Sequence, residues 1–590
     1  MREAGAELRG GALWSGDARR AAALHPATAC QAGGVTALLL VIVAAFLVIA
    51  AATVLAPRLG IASPLVLVAV GIAASFLPAF GSVQIDPEWI LEGLLPPLLY
   101  SSAVSMPAMN FRREFGAISG LSVVLVVGSS LALGLFFMLV LPGLGFAWGV
   151  ALGAIVSPTD AVATSIVRRS SVSKRVVAML DGESLLNDAT ALVLLRTAIV
   201  ATAASFSFWG AVGSFAYSVI IALLIGGLVA GLNLVVRKRV TDPTVNTVIS
   251  FAVPFAASVP AELLGGSGLV AAVVAGLVTG IRAPRDLSAQ HRLSDSQNWR
   301  TVELVLEGAI FLTMGLQITA VVASVEQDHA GVGAAVLVAA GALLLTIIVR
   351  AVYVAPLLGV LSWRSRRSAR IQSLLQGMQE RLDTPEGKQA TFARLSAGRR
   401  RASERDLDRF ALRLTRMLAD IDYFLRAPLG WREGTAVVWA GMRGAVTVAA
   451  AQTLPEDTPQ RSVLVLIAFA VATLSLLVQG GTIGPLLRAL APRVDPVALR
   501  AQEEAERQRI MELLRASAEH LGPPPQRQGE PTQEAFEAAR RHRLAVIAAQ
   551  RTALLDARDN GTFDADVLAS ALANLDASQI AIEMRGTLSG

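Results

Sequence analysis

The chain of 590 residues is 54% hydrophobic, 5% aromatic and only 16% charged, and its mean hydropathy is +0.57. This composition excludes an ordinary soluble domain, and the single cysteine, Cys30, excludes an internal disulfide framework and a cysteine-based zinc site. Apolar stretches of about 20 residues recur, a length that crosses a hydrocarbon core of roughly 30 Å as a helix. The net charge of +6 comes from basic residues in the loops beside these stretches, which indicates membrane topology rather than a nucleic-acid partner. We therefore predict an all-α polytopic membrane protein.

Thirteen apolar segments are predicted to cross the membrane as helices. In chain order they cover about residues 36–56, 61–80, 89–108, 115–140, 147–167, 176–203, 209–236, 244–262, 267–281, 302–323, 332–360, 435–454 and 462–490. Several are shorter or more polar than the rest, and these are the spans in which we expect the chemistry.

Five regions follow from this pattern. Residues 1–35 are predicted to be an extracytoplasmic segment, residues 36–363 hold spans one to eleven, and residues 433–491 hold the last two spans. Residues 364–432 are Arg-rich and favour helix, which predicts a cytoplasmic helical insert. Residues 492–590 are predicted to form a cytoplasmic helical tail.

Basic residues are distributed unequally between alternate loops. One set of loops contains only Arg461. The other set contains Arg58, Arg112, Arg113, Arg168, Arg169, Lys174, Arg175, Arg237, Lys238, Arg239, Arg282, Arg285, Arg292 and Arg300. Because cytoplasmic loops near span ends collect lysine and arginine, we predict an N-terminus outside the cell inner (plasma) membrane and a C-terminus in the cytoplasm.

Two of the predicted spans are interrupted. The fifth reads SPTD at residues 157–160, where Pro158 removes a backbone donor and clashes with the preceding turn. The twelfth reads GMRG at residues 441–444, whose glycines favour unwinding. Irregular backbone at membrane depth is tolerated where it lines a wet cavity, and transporters use it to hold ions. The alternative for the fifth span is a proline-kinked helix with a hydrated aspartate. The two spans are seven apart and therefore run in opposite directions, as inverted-topology repeats require.

The sixth span concentrates oxygen-bearing side chains at residues 181–190. Ser184 and Asp188 share one helix face, while Glu183 and Asn187 share the face beside it. A hard cation prefers carboxylate, hydroxyl and carbonyl oxygens. If the fifth and sixth spans are adjacent, the oxygens of a Na+ site would come from Thr159, Asp160, Ser184 and Asp188.

Ionisable side chains inside spans cost roughly 2.5–3.5 kcal/mol each on insertion scales, so each requires a partner or a function. Arg443 therefore needs an acid, and Glu183 is the acid best placed by its motif. Glu307 is the other candidate. The five histidines lie outside the predicted spans, which argues against a transition-metal site at membrane depth.

Five segments carry a resemblance to a known family. They are LLPPLLY (94–100), SPTDAVAT (157–164), GESLLNDATALV (182–193), FLTMGLQI (311–318) and GMRGAVTVA (441–449). In these segments the chain resembles the monovalent cation:proton antiporter family, in the branch of bacterial Na+/H+ antiporters that is related to animal sodium/proton exchangers. The resemblance implies a homodimer, in which each protomer has a dimerisation domain and a six-helix core domain that moves like an elevator.

The resemblance also implies roles for individual residues. Asp188 would bind Na+ and H+ alternately, and Asn187 would be its partner in the Asn-Asp motif. Glu183 and Arg443 would form a structural ion pair. The residues that would help to hold the ion or its waters are Thr159, Asp160 and Ser184.

One position departs from the family pattern. Many relatives have an acid after the LPPLLY segment, where this chain has Ser101 and Ser102, so no carboxylate from the third span is expected in the site. Ser101 and Glu307 are predicted as accessory residues. Relatives with Asp-Asp at the Asn-Asp position are the electrogenic ones, and Asn187 therefore predicts electroneutral transport.

The resulting expectation is a secondary active antiporter that exchanges Na+ for H+ in pH and sodium homeostasis. Such a protein is no enzyme and needs no cofactor beyond the transported ions. A proton and a cation would compete for the oxygens of Asp188, because either one neutralises the carboxylate. The alternatives are K+/H+ exchange, which these residues do not exclude, and a non-coupled cation channel.

Overall fold

The computed structural model describes residues 25–59, 61–77, 86–160, 162–168, 170, 172–203, 208–328, 331–398, 404–490, 496–523 and 533–585. Most of the predicted N-terminal segment 1–35 lies outside the described residues. The described residues contain helices and turns but no β-strand, which confirms the all-α prediction.

The first half of the chain forms helices α1 to α11. Their bounds are α1 His25–Leu59, α2 Ser63–Ser75, α3 Leu95–Ser105, α4 Ala108–Ser119, α5 Val126–Val140, α6 Phe146–Val156, α7 Val162–Arg168, α8 Lys174–Ala203, α9 Phe208–Arg237, α10 Pro243–Leu263 and α11 Gly268–Asp286. A π-helical turn, Trp89–Leu94, precedes α3, and another, Gly120–Leu125, joins α4 to α5.

The second half forms helices α12 to α23. Their bounds are α12 Ala289–Leu316, α13 Ile318–Gln327, α14 Val332–Asp383, α15 Pro385–Gly398, α16 Glu404–Arg426, α17 Trp431–Trp439, α18 Ala445–Gln452, α19 Arg461–Ser475, α20 Gly481–Leu490, α21 Pro496–Glu519, α22 Gln533–Asn560 and α23 Ala565–Arg585. A third π-helical turn, Leu476–Gly480, joins α19 to α20.

Nine helical stretches in the described part of the chain are long and apolar enough to cross a membrane. They coincide with nine of the predicted spans. The other four predicted spans, the second, third, fifth and twelfth, fall on shorter helices: α2, α3 with its π-helical turn, the pair α6 and α7, and the pair α17 and α18. The multi-span architecture is confirmed, while the count of thirteen stays a prediction.

Both predicted interruptions are present. Helix α6 ends at Val156 and α7 begins at Val162, while α17 ends at Trp439 and α18 begins at Ala445. Helix α6 packs against α5 and α8, and α18 packs against α6 and α12. The approach of α5 to α6 is close, since a Cβ atom on Gly149 would lie 2.5 Å from the carbonyl oxygen of Gly134. The interrupted spans are thus held in the interior of the bundle.

The insert continues a membrane helix rather than starting anew. Helix α14 runs through residue 363 to Asp383 without a break, so the predicted boundary between span and insert is not a helix end. Helix α16 packs on this extension through Leu375, Leu382, Leu414 and Ile421. The insert is also attached to the bundle, because Arg175 donates both to Glu114 (2.6 Å) and to the carbonyl oxygen of Ala427 (3.0 Å).

The tail helices α21 to α23 pack together around Ile510, Ile547, Leu554 and Leu568. Acidic residues of this tail contact basic residues at the ends of membrane helices. The ion pairs are Lys174 with Asp564 and Asp566, Arg285 with Asp556 and Asp559, and Arg292 with Asp576. The tail and the insert therefore lie on the same face of the bundle as the Arg-rich loops.

Candidate functional site

The two interrupted spans meet at their interruptions. The backbone N–H of Asp160, in the first, donates to the carbonyl oxygen of Met442, in the second, at 2.7 Å. Each unwound stretch leaves backbone groups without helical partners. The contact satisfies one such group from each stretch and fixes one interruption against the other.

Asp160 lies where two helices begin. Its Oδ1 accepts from the backbone N–H of Val162 at 3.0 Å, at the start of α7. A Cβ atom on Gly444, the residue before α18, would overlap the carboxylate of Asp160. Only glycine therefore lets the carboxylate approach the start of α18. Helix N-termini favour a negative charge, which suits the carboxyl group of Asp160 at this position.

Arg443 lies where two helices end. Its Nε donates to the carbonyl oxygen of Val156 at 3.0 Å, its Nη2 to that of Ser157 at 3.4 Å, and its Nη1 to that of Gly441. These carbonyl groups follow or close α6 and α17. Helix C-termini carry partial negative charge and leave carbonyl groups unpaired, which suits the five donors of a guanidinium.

The predicted ion pair between Glu183 and Arg443 is wrong. Glu183 is 1% exposed and pairs instead with Arg350 of α14, in a two-pronged contact of both guanidinium Nη atoms with both carboxylate oxygens, one at 2.7 Å. Arg350 also donates through Nε to the carbonyl oxygen of Val437 at 2.9 Å. The physical reason for the correction is that backbone carbonyl groups accept the hydrogen bonds of Arg443, while Arg350 of α14 reaches the Glu183 carboxylate.

Asn187 holds the interrupted fifth span in place. Its Nδ2 donates to both the carbonyl oxygen (3.0 Å) and the Oγ1 (2.7 Å) of Thr159. The Thr159 hydroxyl in turn donates to Oε1 of Glu183 at 3.0 Å. A chain of hydrogen bonds thus runs from Arg350 through Glu183 and Thr159 to Asn187, and it fixes the backbone beside Asp160.

A cavity of about 80 Å³ opens at this crossing. The four residues predicted to hold a cation all line it: Thr159, Asp160, Ser184 and Asp188. Asp188 is 8% exposed, and its neighbour across the cavity lining is the carboxyl-bearing Asp160. The volume is sufficient for a small cation with a few waters.

Two more carboxylates, Glu303 and Glu307 of α12, line the same cavity. Glu307 was predicted as an accessory acid, whereas Glu303 was missed. Ser101 contacts the site indirectly, since its hydroxyl donates to Oε2 of Glu303 at 3.3 Å. The spacing of four residues between Glu303 and Glu307 was the available signal, because it places both on one helix face.

Comparison with known proteins identifies the family. The family model described as "Sodium/hydrogen exchanger, transmembrane" matches residues 42–378 and 410–489. An uncharacterized Na+/H+ exchanger of Mycobacterium tuberculosis is 27% identical over 579 residues, which cover 92% of this chain and 96% of that protein. The low-affinity Na+/H+ antiporter NhaS1 of Synechocystis sp. is 26% identical over 434 residues, which cover 72% of this chain and 69% of that protein.

The fold has a counterpart among solved structures. The sodium proton antiporter MjNhaP1 of Methanocaldococcus jannaschii superposes with a TM-score of 0.51 at 15% identity, over 78% of this chain and 100% of that chain. At this identity the likeness shows the fold alone, and it agrees with the family match. The resemblance read from the five motifs is confirmed: the chain belongs to the transmembrane sodium/hydrogen exchanger family.

Proposed function

We propose that this protein exchanges Na+ for H+ and that Asp188 is the carboxylate that carries each ion in turn. The observation that carries the proposal is the convergence of Asp188, Asp160, Thr159 and Ser184 on one cavity at the crossing of two interrupted helices. The relatives named as Na+/H+ antiporters make Na+ the first cation to test. The protein is a transporter by family, and we assign it no enzymatic reaction.

Exchange follows from competition at Asp188. The carboxylate is neutralised by either a proton or a cation, and both require the same oxygens. Without a bound proton or cation, the negative charge of Asp188 is costly in a buried cavity. The empty site therefore does not move across the membrane readily, whereas each loaded form does. Asp160 stays charged at the two helix N-termini in this scheme and contributes an oxygen to the cation.

We propose that the cycle is electroneutral. Asn187, beside Asp188, does not titrate and uses its amide group to hold Thr159. One carboxylate then carries one Na+ in one direction and one H+ in the other, with no net charge moved. Glu303 and Glu307 line the cavity as well, and they are the residues to examine if voltage affects transport.

The assembly and orientation are proposals on the same footing. We expect a homodimer in the plasma membrane that serves pH and sodium homeostasis. The insert and the tail contact the Arg-rich loops, as in the pairs of Arg113 with Asp420 and of Lys174 with Asp564. Basic loops are cytoplasmic, which supports a cytoplasmic insert and tail.

The decisive experiment uses the Asp188→Asn variant in proteoliposomes. Proton movement is followed after addition of Na+ or K+, with the membrane potential either clamped or imposed at about 100 mV, a field worth roughly 2.3 kcal/mol per net charge moved. We expect the native protein to couple Na+ to H+ equally at both potentials and the variant to lose exchange, since an amide neither takes up a proton near neutral pH nor neutralises Na+.

Each alternative has its own signature in this assay. A response to K+ alone would replace Na+ by K+ as the substrate. Cation movement without proton movement would indicate a channel. Coupled exchange by Asp188→Asn would remove Asp188 from the mechanism, and a several-fold shift of the coupling point with voltage would overturn the electroneutral cycle.

A further inference from the structure

Thr447 is a buried residue of α18 that lines the cavity. It is 1% exposed, and its hydroxyl has no hydrogen-bond partner among the described residues. Buried hydroxyl groups are nearly always hydrogen-bonded, because an unsatisfied one forfeits its interaction with water. Something other than the protein's own described groups is therefore expected to meet this oxygen.

The helix interruption removes one acceptor that the hydroxyl of a helical threonine commonly uses. Threonines inside helices commonly donate to the carbonyl oxygen four residues earlier, as Thr190 does to Leu186 (3.0 Å) and Thr197 does to Val193 (2.8 Å) in α8. The residue four before Thr447 is Arg443, which lies in the unwound stretch before α18. The interruption of the twelfth span thus removes the usual acceptor.

The same interruption places Thr447 towards the site. Gly444 is three residues earlier, and the backbone N–H of Thr447 donates to its carbonyl oxygen at 3.2 Å. Residues three apart share a helix face. Because the Asp160 carboxylate lies against Gly444, Thr447 lies on the side of α18 that faces Asp160.

Two other hydroxyls of residues that line the cavity, those of Thr159 and Ser184, already donate within the protein. Thr159 donates to Glu183 at 3.0 Å, and Ser184 donates to the carbonyl oxygen of Asp181 at 3.0 Å. These bonds orient their oxygens and leave lone pairs for a cation. A hydroxyl on α18 would add an oxygen from the twelfth span to those from the fifth and sixth.

We infer that the hydroxyl oxygen of Thr447 is a ligand of the transported Na+. The inference rests on the proposed function and adds a residue to its site. The threonine hydroxyl supplies a neutral oxygen that does not ionise in the working pH range. Its loss should therefore weaken cation binding while leaving proton binding at Asp188 intact.

The test compares Thr447→Val, which keeps the shape and removes the hydroxyl, with Thr447→Ser, which keeps the hydroxyl. We expect Thr447→Val to raise the half-saturating Na+ concentration about three- to tenfold, as loss of one polar contact does. Thr447→Ser should stay within about twofold of the native protein by the same measure. The pH dependence of exchange at saturating Na+ should be unchanged in both.

Thr473→Val is the matched control, because the Thr473 hydroxyl is also buried and unpartnered among the described residues but lies in α19 and not among the residues that line the cavity. It should leave the half-saturating Na+ concentration unchanged. An unchanged concentration in Thr447→Val, or an equal increase in Thr447→Val and Thr447→Ser, would overturn the inference. Failure of the proposed function is distinguishable, since it would appear as retained exchange in Asp188→Asn.

Discussion

Two ion-paired regions of the molecule differ in their access to water. At the crossing of the interrupted helices, the side chains of Glu183 and Arg350 are each 2% exposed. On the face that carries the tail, Lys174 and Asp564 are 58% and 30% exposed, at a distance of 2.9 Å. Similar contacts therefore have different consequences. A buried charge must keep its partner, whereas an exposed charge that loses its partner regains water.

The difference corresponds to different tasks. The buried pair fixes Thr159, and through it the unwound backbone beside Asp160, so it determines the shape of the cavity. Exposed pairs attach the tail to the ends of α8 and α11, and the less exposed pair of Arg292 with Asp576 attaches it near the start of α12. The backbone that shapes the cavity requires an ion pair that stays formed, whereas attachment of the tail tolerates ion pairs that break and re-form.

The largest effect is expected from Arg350→Ala, which leaves Glu183 buried and unpaired. Breaking a buried pair from one side typically costs about 3–5 kcal/mol. We therefore expect a strong loss of yield or of the apparent melting temperature of the purified protein in detergent. The double variant Glu183→Ala with Arg350→Ala should lose much less than the sum of the single variants.

The control repeats the double-variant experiment with Arg443, the partner of Glu183 that the sequence had suggested, in place of Arg350. Because Arg443 contacts backbone carbonyl groups, Glu183→Ala and Arg443→Ala should combine more nearly additively than Glu183→Ala and Arg350→Ala. Additivity within about 0.5 kcal/mol for Glu183 and Arg350 would contradict the pair seen in the structure.

These two arginines show where prediction from sequence succeeds and where it ends. The residues at the cavity, Asp160 and Asp188 among them, were predictable because proline and glycine interruptions and spacings of four residues are local signals. The partner of Glu183 was not, because Arg350 lies 167 positions away in a span that otherwise looked uniformly apolar. Which of two buried arginines meets an acid depends on how α14 packs, and no local pattern encodes that.

The same limit applies to the acids of α12. Glu307 was noticed because it is an acid inside a predicted span and a candidate partner of Arg443, but Glu303 lies at the start of that span, where a charged residue is unremarkable. Its proximity to Ser101 of α3 arises only when α3 and α12 pack together. The departure from the family pattern at Ser101 therefore acquires a meaning only in three dimensions.

Glu303 is half-buried at the cavity, so its solvent exposure lies between that of the buried pair of Glu183 with Arg350 and that of the exposed pairs of the tail. Its carboxylate should attract cations without being essential, since Asp188 remains. We expect Glu303→Gln to raise the half-saturating Na+ concentration about three- to tenfold at low ionic strength, and less at high ionic strength because salt screens the attraction. The maximal rate should change little. The measurement is Na+-driven proton movement in proteoliposomes across a series of Na+ concentrations.

A compensating variant sharpens this prediction. Because the Ser101 hydroxyl lies 3.3 Å from the Glu303 carboxylate, Ser101→Glu in the Glu303→Gln background returns a carboxylate to nearly the same position. It should recover most of the lost affinity for Na+. Equal affinities in the native protein and Glu303→Gln at low ionic strength would show that this acid does not act on the transported ion.

The smallest effect is expected from Lys174→Ala, which removes the contacts with Asp564 and Asp566 at 2.9 and 2.8 Å. Exposed pairs of this kind contribute about 0–1 kcal/mol, and both acids regain water when the lysine is lost. The tail also keeps its pairs with Arg285 and Arg292, so it should remain attached. Hydrogen–deuterium exchange of α23 should rise slightly at low salt, and the difference from the native protein should vanish at about 0.5 M salt, where charges separated by more than a few ångströms are screened.

Arg292→Ala is the comparison, because Arg292 and Asp576 are only 14% and 15% exposed. Its effect on the exchange of α23 should be larger and less sensitive to salt. A loss in Lys174→Ala that matched that of Arg292→Ala and persisted at high salt would show that exposure does not separate these pairs.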